Sequence, residues 1–108
     1  MRIRWLDAAR TDLQEIGSYI ARDRPGAAKE VVTRIRRAVG SLRANPAIGR
    51  PGVVLMTREL ILPNLPYFIV YRVHEDSVDI LWIVDGRQDW PGNFDVEGRL
   101  SHAPDHAT

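Results

Sequence analysis

Apolar residues recur at two different periods along the chain, which divides it into a helical first half and a second half of strands. Spacing of three and four residues predicts two helices. The first is expected to begin at the N-cap Asp7 and to end near Asp23. The second is expected to begin at Pro25, where a missing N–H costs nothing, and to be closed by Pro46. Their apolar stripes are Ala9, Leu13, Ile16 and Ile20, and Ala28, Val31, Val32, Ile35, Val39 and Leu42.

Shorter apolar runs predict strands on both sides of this helical hairpin. Ile3–Leu6 has the alternation of a short N-terminal strand, and Val53–Leu55 is expected to extend as a ragged sheet edge after a glycine- and proline-rich turn. Three better strands are predicted at Arg58–Leu62, Tyr67–Val73 and Val78–Val84. The last is the most apolar, so it should lie centrally with both faces covered. The order of elements predicts the α+β class.

Length and composition indicate one ordinary domain. The chain has 108 residues, of which 44% are hydrophobic and 27% charged. Residues 1–92 are predicted to form the domain, and residues 93–108 a C-terminal extension with a partly disordered tail. The absence of cysteine excludes a disulfide framework and a thiolate metal site. No run approaches the roughly 18 apolar residues of a membrane span, so a cytoplasmic location is expected.

Charge is distributed unevenly although the net charge is only +1. Residues 1–50 carry eleven Arg and Lys against five Asp and Glu, whereas residues 51–108 carry four against nine. A basic helical half is suited to nucleic acid or to an acidic partner protein. A solvated helix face explains the same pattern.

One arginine lies on or just after each of the three predicted strands, namely Arg58, Arg72 and Arg87. If these side chains converge, their charge-assisted hydrogen bonds would bind a phosphate or a carboxylate. For Arg72, a salt bridge to Glu59 or Asp79 on a neighbouring strand is the structural alternative. No phosphate-binding glycine loop, nucleophile elbow or zinc signature is present, so no cofactor or metal is expected.

The order of the pieces from Ile3 to Pro91 resembles the RelE/ParE toxins of bacterial type II toxin–antitoxin systems, also known as plasmid stabilisation proteins. The matching pieces are Trp5, Gly49-Arg50-Pro51-Gly52, Thr57-Arg58-Glu59-Leu60, Pro66-Tyr67, Val70-Tyr71-Arg72-Val73, Gly86-Arg87 and Trp90-Pro91. The resemblance implies a growth-inhibiting toxin with a helical hairpin packed on one sheet, a three-stranded antiparallel meander. It also implies a neighbouring gene for an antitoxin.

Two activities occur in this family, and two residues favour one of them. RelE-like members cut mRNA on the ribosome, whereas ParE-like members poison DNA gyrase without being enzymes. Phe68 stands where ribonuclease members tend to carry arginine, and Asp85 where many carry histidine. The resemblance therefore favours a ParE-like gyrase inhibitor. A ribosome-dependent mRNA endoribonuclease using the three arginines, and a non-toxic relic that only binds antitoxin, remain as alternatives.

A cognate antitoxin is the partner under every alternative, and a hetero-oligomer with it is expected. Such partners lay an amphipathic helix on apolar grooves or add a strand to a sheet edge. The candidate contact residues are Leu60, Leu62, Trp90 and Phe94. Some apolar residues, for instance Leu60, Leu62 or Phe94, are expected to be exposed in the isolated chain.

Overall fold

The computed structural model describes residues 1–88 together with Trp90 and Pro91, and it packs two helices on a five-stranded sheet. The predicted α+β order is confirmed. The boundary expected between residues 92 and 93 lies outside the described residues. The elements are β1 (Arg2–Trp5), α1 (Asp7–Ala21), α2 (Pro25–Ser41), β2 (Arg50–Pro51), β3 (Arg58–Ile61), β4 (Tyr67–Val73) and β5 (Ser77–Asp85). None of the helices in this part of the chain is both long and apolar enough to cross a membrane.

The two helices form the predicted hairpin, with a small correction at its start. Pro25 opens α2 as expected, and α1 ends at Ala21, slightly earlier than the sequence pattern indicated. Leu6 occupies the N-cap position, so the prediction that Asp7 is the N-cap is wrong. Asp7 is instead the first helical residue, and its carboxylate pairs with Arg10 at 3.2 Å.

The sheet order is β1-β5-β4-β3-β2, which extends the expected meander at both edges. β3, β4 and β5 form the predicted antiparallel meander. β1 pairs in parallel with β5, with Ile3 opposite Val78, and satisfies backbone groups that would otherwise be unpaired. β2 adds two residues through Arg50 opposite Glu59. Pro51 has no N–H to donate, which limits this edge strand.

Both faces of the sheet are covered. One face packs on the helices, and its buried cluster is Ala9, Leu13, Ile35, Val39, Leu42, Leu62, Tyr67, Ile69, Tyr71, Val78, Ile80 and Ile83. The opposite face carries a smaller cluster of Phe68, Val70, Leu81, Trp82 and Val84, with Trp90 packed against it. Phe68 is buried in this second cluster. The prediction that Val78–Val84 lies inside the sheet with both faces covered is confirmed.

An irregularity in the β4–β5 pairing gives β5 its two apolar faces. Val70 lies opposite Trp82, but the next residue, Tyr71, lies opposite Ile80, so Leu81 is the extra residue of a β-bulge. The bulge changes which residues alternate between faces. As a result, Ile80 joins the helix-side cluster and Trp82 the opposite one.

Candidate functional site

The most exposed apolar side chains among the described residues lie between β2 and β3, in a segment that we call the apolar loop (residues 52–57). Val53, Leu55 and Met56 are 64%, 83% and 74% exposed. The prediction that Val53–Leu55 forms a strand is wrong, because this segment folds into bends and turns. Contiguous exposed apolar side chains mark interaction sites more often than scattered ones do.

Side chains of the sheet hold the backbone of the apolar loop. The Arg72 guanidinium donates hydrogen bonds to the carbonyls of Leu55 and Met56, both at 3.3 Å. The Glu59 carboxylate accepts the Val53 amide at 3.1 Å. Polar contacts therefore fix the chain while its apolar side chains face solvent. This arrangement presents apolar groups to a partner with little ordering left to be done on binding.

Two further hydrogen bonds close the base of the apolar loop. The Gly52 amide donates to the Thr57 carbonyl at 2.8 Å, and the Thr57 hydroxyl donates to the Val54 carbonyl at 2.7 Å. A Cβ atom on Gly52 would collide with that hydroxyl. Glycine is therefore required at this position by close packing.

Met56 adopts a backbone conformation that is unfavourable for its side chain. Its φ angle is +67°, in the left-handed region that glycine, asparagine and aspartate enter more easily than methionine. This conformation costs on the order of 1 kcal/mol. The surrounding hydrogen bonds maintain it, and it places a flexible apolar side chain at the tip of the apolar loop.

Glu59 is the polar centre beneath the apolar loop and is only 1% exposed. It accepts hydrogen bonds from Arg50 (3.1 and 2.8 Å), from the Val53 amide (3.1 Å) and from the Trp90 indole N–H (3.1 Å). Burial raises the pKa of the Glu59 carboxyl, but these donors outweigh burial and hold the pKa below its ordinary value. The carboxylate thus joins β2, the apolar loop and the segment after β5.

Arg58 and Tyr71 perform the same task for the chain before β2. The Tyr71 hydroxyl accepts the Gly49 amide and donates to the Pro46 carbonyl, both at 2.8 Å. Arg58 donates to the Gly49 carbonyl at 2.7 Å and to the Ala47 carbonyl at 3.3 Å. Burial raises the pKa of the Tyr71 hydroxyl, so it remains protonated and able to donate. Both side chains are used to hold the backbone.

The three arginines singled out from the sequence do not converge. Arg72 lies beside the β4–β5 turn, whereas Arg87 follows the far end of β5. Arg58 lies opposite Tyr71, whose ring packs on the helix side, and Arg72 is one position further along β4. Arg87 pairs with Asp85 at 2.9 and 2.7 Å. The expectation of one shared anion site is therefore wrong, while anion binding by any one of them stays a prediction.

A pocket of about 390 Å³ lies between α1 and the end of β5, lined in part by Asp12, Tyr19, Tyr67 and Arg87. Asp12 accepts the Ile83 amide at 3.0 Å. The pairing of β1 with β5 ends at Ile80, so a helix carboxylate replaces the missing strand for this amide. Burial raises the pKa of Asp12 to about 6; the Ile83 amide opposes this rise and nearby Glu15 adds to it.

Asp12→Asn is expected to stabilise the protein near neutral pH. Between its ordinary value of 3.8 and about 6, Asp12 is protonated in the native state and ionised in the unfolded chain. Its contribution to stability therefore falls as pH rises through this window. Asparagine carries no charge, and its carbonyl can still accept the Ile83 amide. The free energy of unfolding of the variant should equal that of wild type near pH 4 and exceed it by about 2 kcal/mol at pH 7.5, after discounting for partial exposure.

Urea unfolding at pH 4, 6 and 7.5 measures this difference. Asp12→Ala is the matched variant, because it removes the charge and also the acceptor of the Ile83 amide. It should lack the gain seen with asparagine. A difference between wild type and Asp12→Asn that does not change with pH would show that Asp12 has an ordinary pKa.

His74 and Asp79 form a second polar group at the opposite end of the hairpin. His74 Nε2 lies 3.0 Å from Asp79 Oδ2, and Arg4 Nε lies 3.3 Å from Asp79 Oδ1. Arg72 is opposite Asp79 in the strand register, but the salt bridges expected for Arg72, to Asp79 or Glu59, are not among the ion pairs of the described residues. The described part of the chain also contains no group of three His, Asp or Glu side chains placed to hold a metal.

The residues predicted to contact a partner have different environments. Leu62 is 5% exposed and lies in the main core, so the prediction that it is exposed is wrong. Leu60 is half-buried on the same side, and Trp90 is half-buried against Phe68 and Trp82. Phe94 lies outside the described residues. Alternation on β3 instead exposes Ile61, at 50%.

The sequence indicated the ragged edge at residues 53–62 as a candidate antitoxin surface, but it did not single out Leu55, Met56 or Asp12. A signal for the first two exists, because Val53–Met56 is a run of four apolar residues between Gly52 and Thr57 with no alternation to bury one face. Asp12 lies one turn before Ile16, at the edge of the apolar stripe of α1, where a carboxylate is conspicuous. Neither signal shows which group or protein these side chains contact.

Comparisons with known proteins agree on one family. Residues 3–90 match the family model described as ParE toxin of type II toxin-antitoxin system, parDE. The Sinorhizobium fredii (strain NBRC 101917 / NGR234) protein named "Putative toxin Y4kP" is 50% identical over 90 residues, which are 83% of this chain and 93% of that protein. A chain of the solved structure titled "Chromosomal ParDE TA system from P. aeruginosa" superposes with a TM-score of 0.72 and 31% identity, covering 79% of this chain and 95% of that one.

Proposed function

Because this chain belongs to the ParE toxin family of type II toxin–antitoxin systems, we propose that it arrests growth by binding DNA gyrase and not by cutting RNA. The family and the structural match to a ParDE system support a cognate antitoxin as its partner. The choice of gyrase as the target goes beyond the family assignment. It rests on the two positions at which ribonuclease members of the wider family carry arginine and histidine.

Neither position offers a group for RNA cleavage. Phe68 is buried, with its ring 6.0 Å from that of Trp90 in an edge contact. Asp85 accepts hydrogen bonds from Arg87 that lower the pKa of the carboxyl, so it stays ionised and is a weak base. A weak base is poorly matched to abstracting a 2′-hydroxyl proton, and the carboxylate engages the Arg87 guanidinium that would otherwise be open to a phosphodiester. The pairing of Asp85 with Arg87 is the observation that carries the proposal.

A ribosome-dependent mRNA endoribonuclease is the second candidate, and the His74–Asp79 pair is the observation in its favour. A carboxylate 3.0 Å from one ring nitrogen orients an imidazole, which leaves the other nitrogen to act as a general base. Arg4 and Arg72 lie on the neighbouring strands beside Asp79. In this mechanism His74 would be essential, whereas in gyrase inhibition it has no role.

Induced expression of the toxin alone is expected to stop DNA synthesis before protein synthesis, and the purified toxin should inhibit supercoiling by gyrase. Pulse labelling with thymidine and with methionine distinguishes the two processes. His74→Gln is the matched variant: it should arrest growth as strongly as wild type. Codon-positioned mRNA cuts that disappear in His74→Gln would instead establish the endoribonuclease. Normal growth on expression would indicate a relic that only binds antitoxin.

We also propose that the apolar loop is a docking surface for the antitoxin. Its exposed apolar side chains and fixed backbone are the properties of a binding hot spot. Trp90, which shares the acceptor Glu59 with the loop residue Val53, is proposed to border this surface. Leu60, Leu62 and Phe94 stay candidates from the sequence; Leu62 would require its burial to be relieved.

A further inference from the structure

We propose that the outer face of α2 binds the phosphate backbone of double-stranded DNA. We call this surface the basic face; it comprises Gly26, Lys29, Thr33, Arg36, Arg37 and Gly40. The inference does not depend on the identity of the toxin's target. It rests on charge, on the absence of apolar groups and on the shape of this side of the helix.

The cations of the basic face are not neutralised by neighbouring carboxylates. Lys29, Arg36 and Arg37 are exposed, and none belongs to an ion pair among the described residues. At 100° per residue, they fall within about 100° of each other around the helix. Glu30 is the one acidic residue of α2. The field of this face is therefore positive and available to an anionic partner.

The basic face has the composition of a phosphate-binding surface and not that of a protein interface. The exposed large apolar side chains of the described residues lie elsewhere, mainly at Ile48, the apolar loop and Ile61, and none lies on α2. Protein interfaces generally include a buried apolar core, whereas contacts with a nucleic acid backbone need none and depend mainly on Arg and Lys. Protein and nucleic acid partners are thus expected on different sides of the toxin.

Duplex DNA fits the basic face better than a single strand does. Proteins that bind single strands usually stack bases on aromatic side chains placed among the cations. No aromatic residue occurs between Tyr19 and Tyr67, a span that includes all of α2. A helix face that carries only cations, a threonine and two glycines is suited to contacting phosphates and does not read bases.

Among the described residues of the basic face, no large side chain stands between the cations, so the sugar–phosphate backbone of DNA can approach the helix closely. A shallow depression of about 460 Å³ is lined by three cations and one acid among small residues, namely Gly26, Lys29, Glu30, Thr33, Arg34 and Arg37. Added Cβ atoms on Gly26 and Gly40 would meet nothing within 4 Å. Packing therefore does not require either glycine.

Binding of a fluorescein-labelled 30-base-pair duplex to the free toxin, measured by anisotropy, tests this inference. Affinity should fall by about 40-fold between 50 and 200 mM salt, the dependence expected for about three phosphate contacts. Lys29→Gln/Arg37→Gln should weaken binding about tenfold at 100 mM salt and reduce the salt slope by about 2. Glu30→Gln should strengthen binding, a direction that misfolding cannot imitate.

The control is Arg2→Gln/Arg22→Gln, which removes the same charge from exposed positions outside α2. It should retain most of the affinity. An equal loss in this control would show that net charge alone drives binding, and tighter binding of a single-stranded RNA of the same length would show that the partner class is wrong. Either result, or no binding to the duplex at 50 mM salt, overturns the proposal. Gyrase inhibition by the same variants is a separate readout, so failure here is distinguishable from failure of the proposed target.

Discussion

Replacing Glu59 by alanine is expected to destabilise the fold by about 3 kcal/mol. The side chain is almost fully buried, and its removal deletes the acceptor of the Val53 amide together with the hydrogen bond from the Trp90 indole N–H. Arg50 loses its partner as well, but its guanidinium is largely exposed and can be solvated. The free energy of unfolding from urea titration at pH 7 measures the effect.

Glu59→Gln removes the negative charge of this side chain while keeping its size and shape. Its carbonyl can accept one of the hydrogen bonds, but its NH₂ group then faces another donor, so a loss of about 1–2 kcal/mol is expected. Glu30→Gln, an exposed change of the same chemistry, should alter stability by less than about 0.5 kcal/mol. Equal effects of these two glutamine variants would show that Glu59 does not hold the apolar loop.

The lowered pKa of Glu59 adds a pH dependence with a definite sign. The folded state favours the ionised carboxylate, so its contribution is fully present above the ordinary pKa of 4.5. It is lost as pH falls through the lower pKa of the folded state. The difference between wild type and Glu59→Gln should therefore shrink in acid. This is the opposite of Asp12, whose raised pKa makes its contribution fall as pH rises.

The helices and the inner strands could be predicted because apolar residues recur along each of them at a regular spacing. Burial of those residues in the core explains that spacing. Pro25 opens α2 and Tyr67–Val73 forms β4 as expected. The N-terminal strand was predicted as an element but its partner in the sheet was not, and the other outer strand, β2, was not predicted. β2 has only two residues and thus no period, and the parallel pairing of β1 with β5 joins segments more than seventy residues apart. Long-range pairing leaves no mark in local spacing.

The candidate site was harder to predict because its residues act through partners distant in sequence. Arg72 has the appearance of a free cation on a strand, yet its donors are used by the carbonyls of Leu55 and Met56. Arg87 is neutralised by Asp85. This pairing could have been predicted, because the two residues are only two positions apart in the sequence. A sequence shows which residues carry charge, but not which backbone groups need that charge.

Leu55→Asp/Met56→Asn is expected to weaken the complex with the antitoxin by more than 100-fold while leaving the fold intact. Both side chains are mostly solvent-exposed, so their removal creates no cavity. Asparagine tolerates the left-handed backbone at position 56 better than methionine does, so the variant should be as stable as wild type or slightly more stable. Loss of two apolar anchors at an interface corresponds to about 3 kcal/mol or more of binding free energy.

Calorimetric titration of purified toxin with antitoxin measures the loss, and co-expression provides the cellular readout, because an antitoxin that no longer binds cannot rescue growth. Tyr19→Gln is the control: it removes a side chain of similar exposure (63%) from α1, outside the apolar loop. It should bind antitoxin normally. If the loop variant retains antitoxin affinity but no longer inhibits gyrase, the apolar loop contacts the target and the assignment to the antitoxin is wrong. In that outcome, the strained Met56 serves binding to the target and not binding to the antitoxin. Under both outcomes the fold does not need methionine at position 56, and the methionine side chain serves a partner.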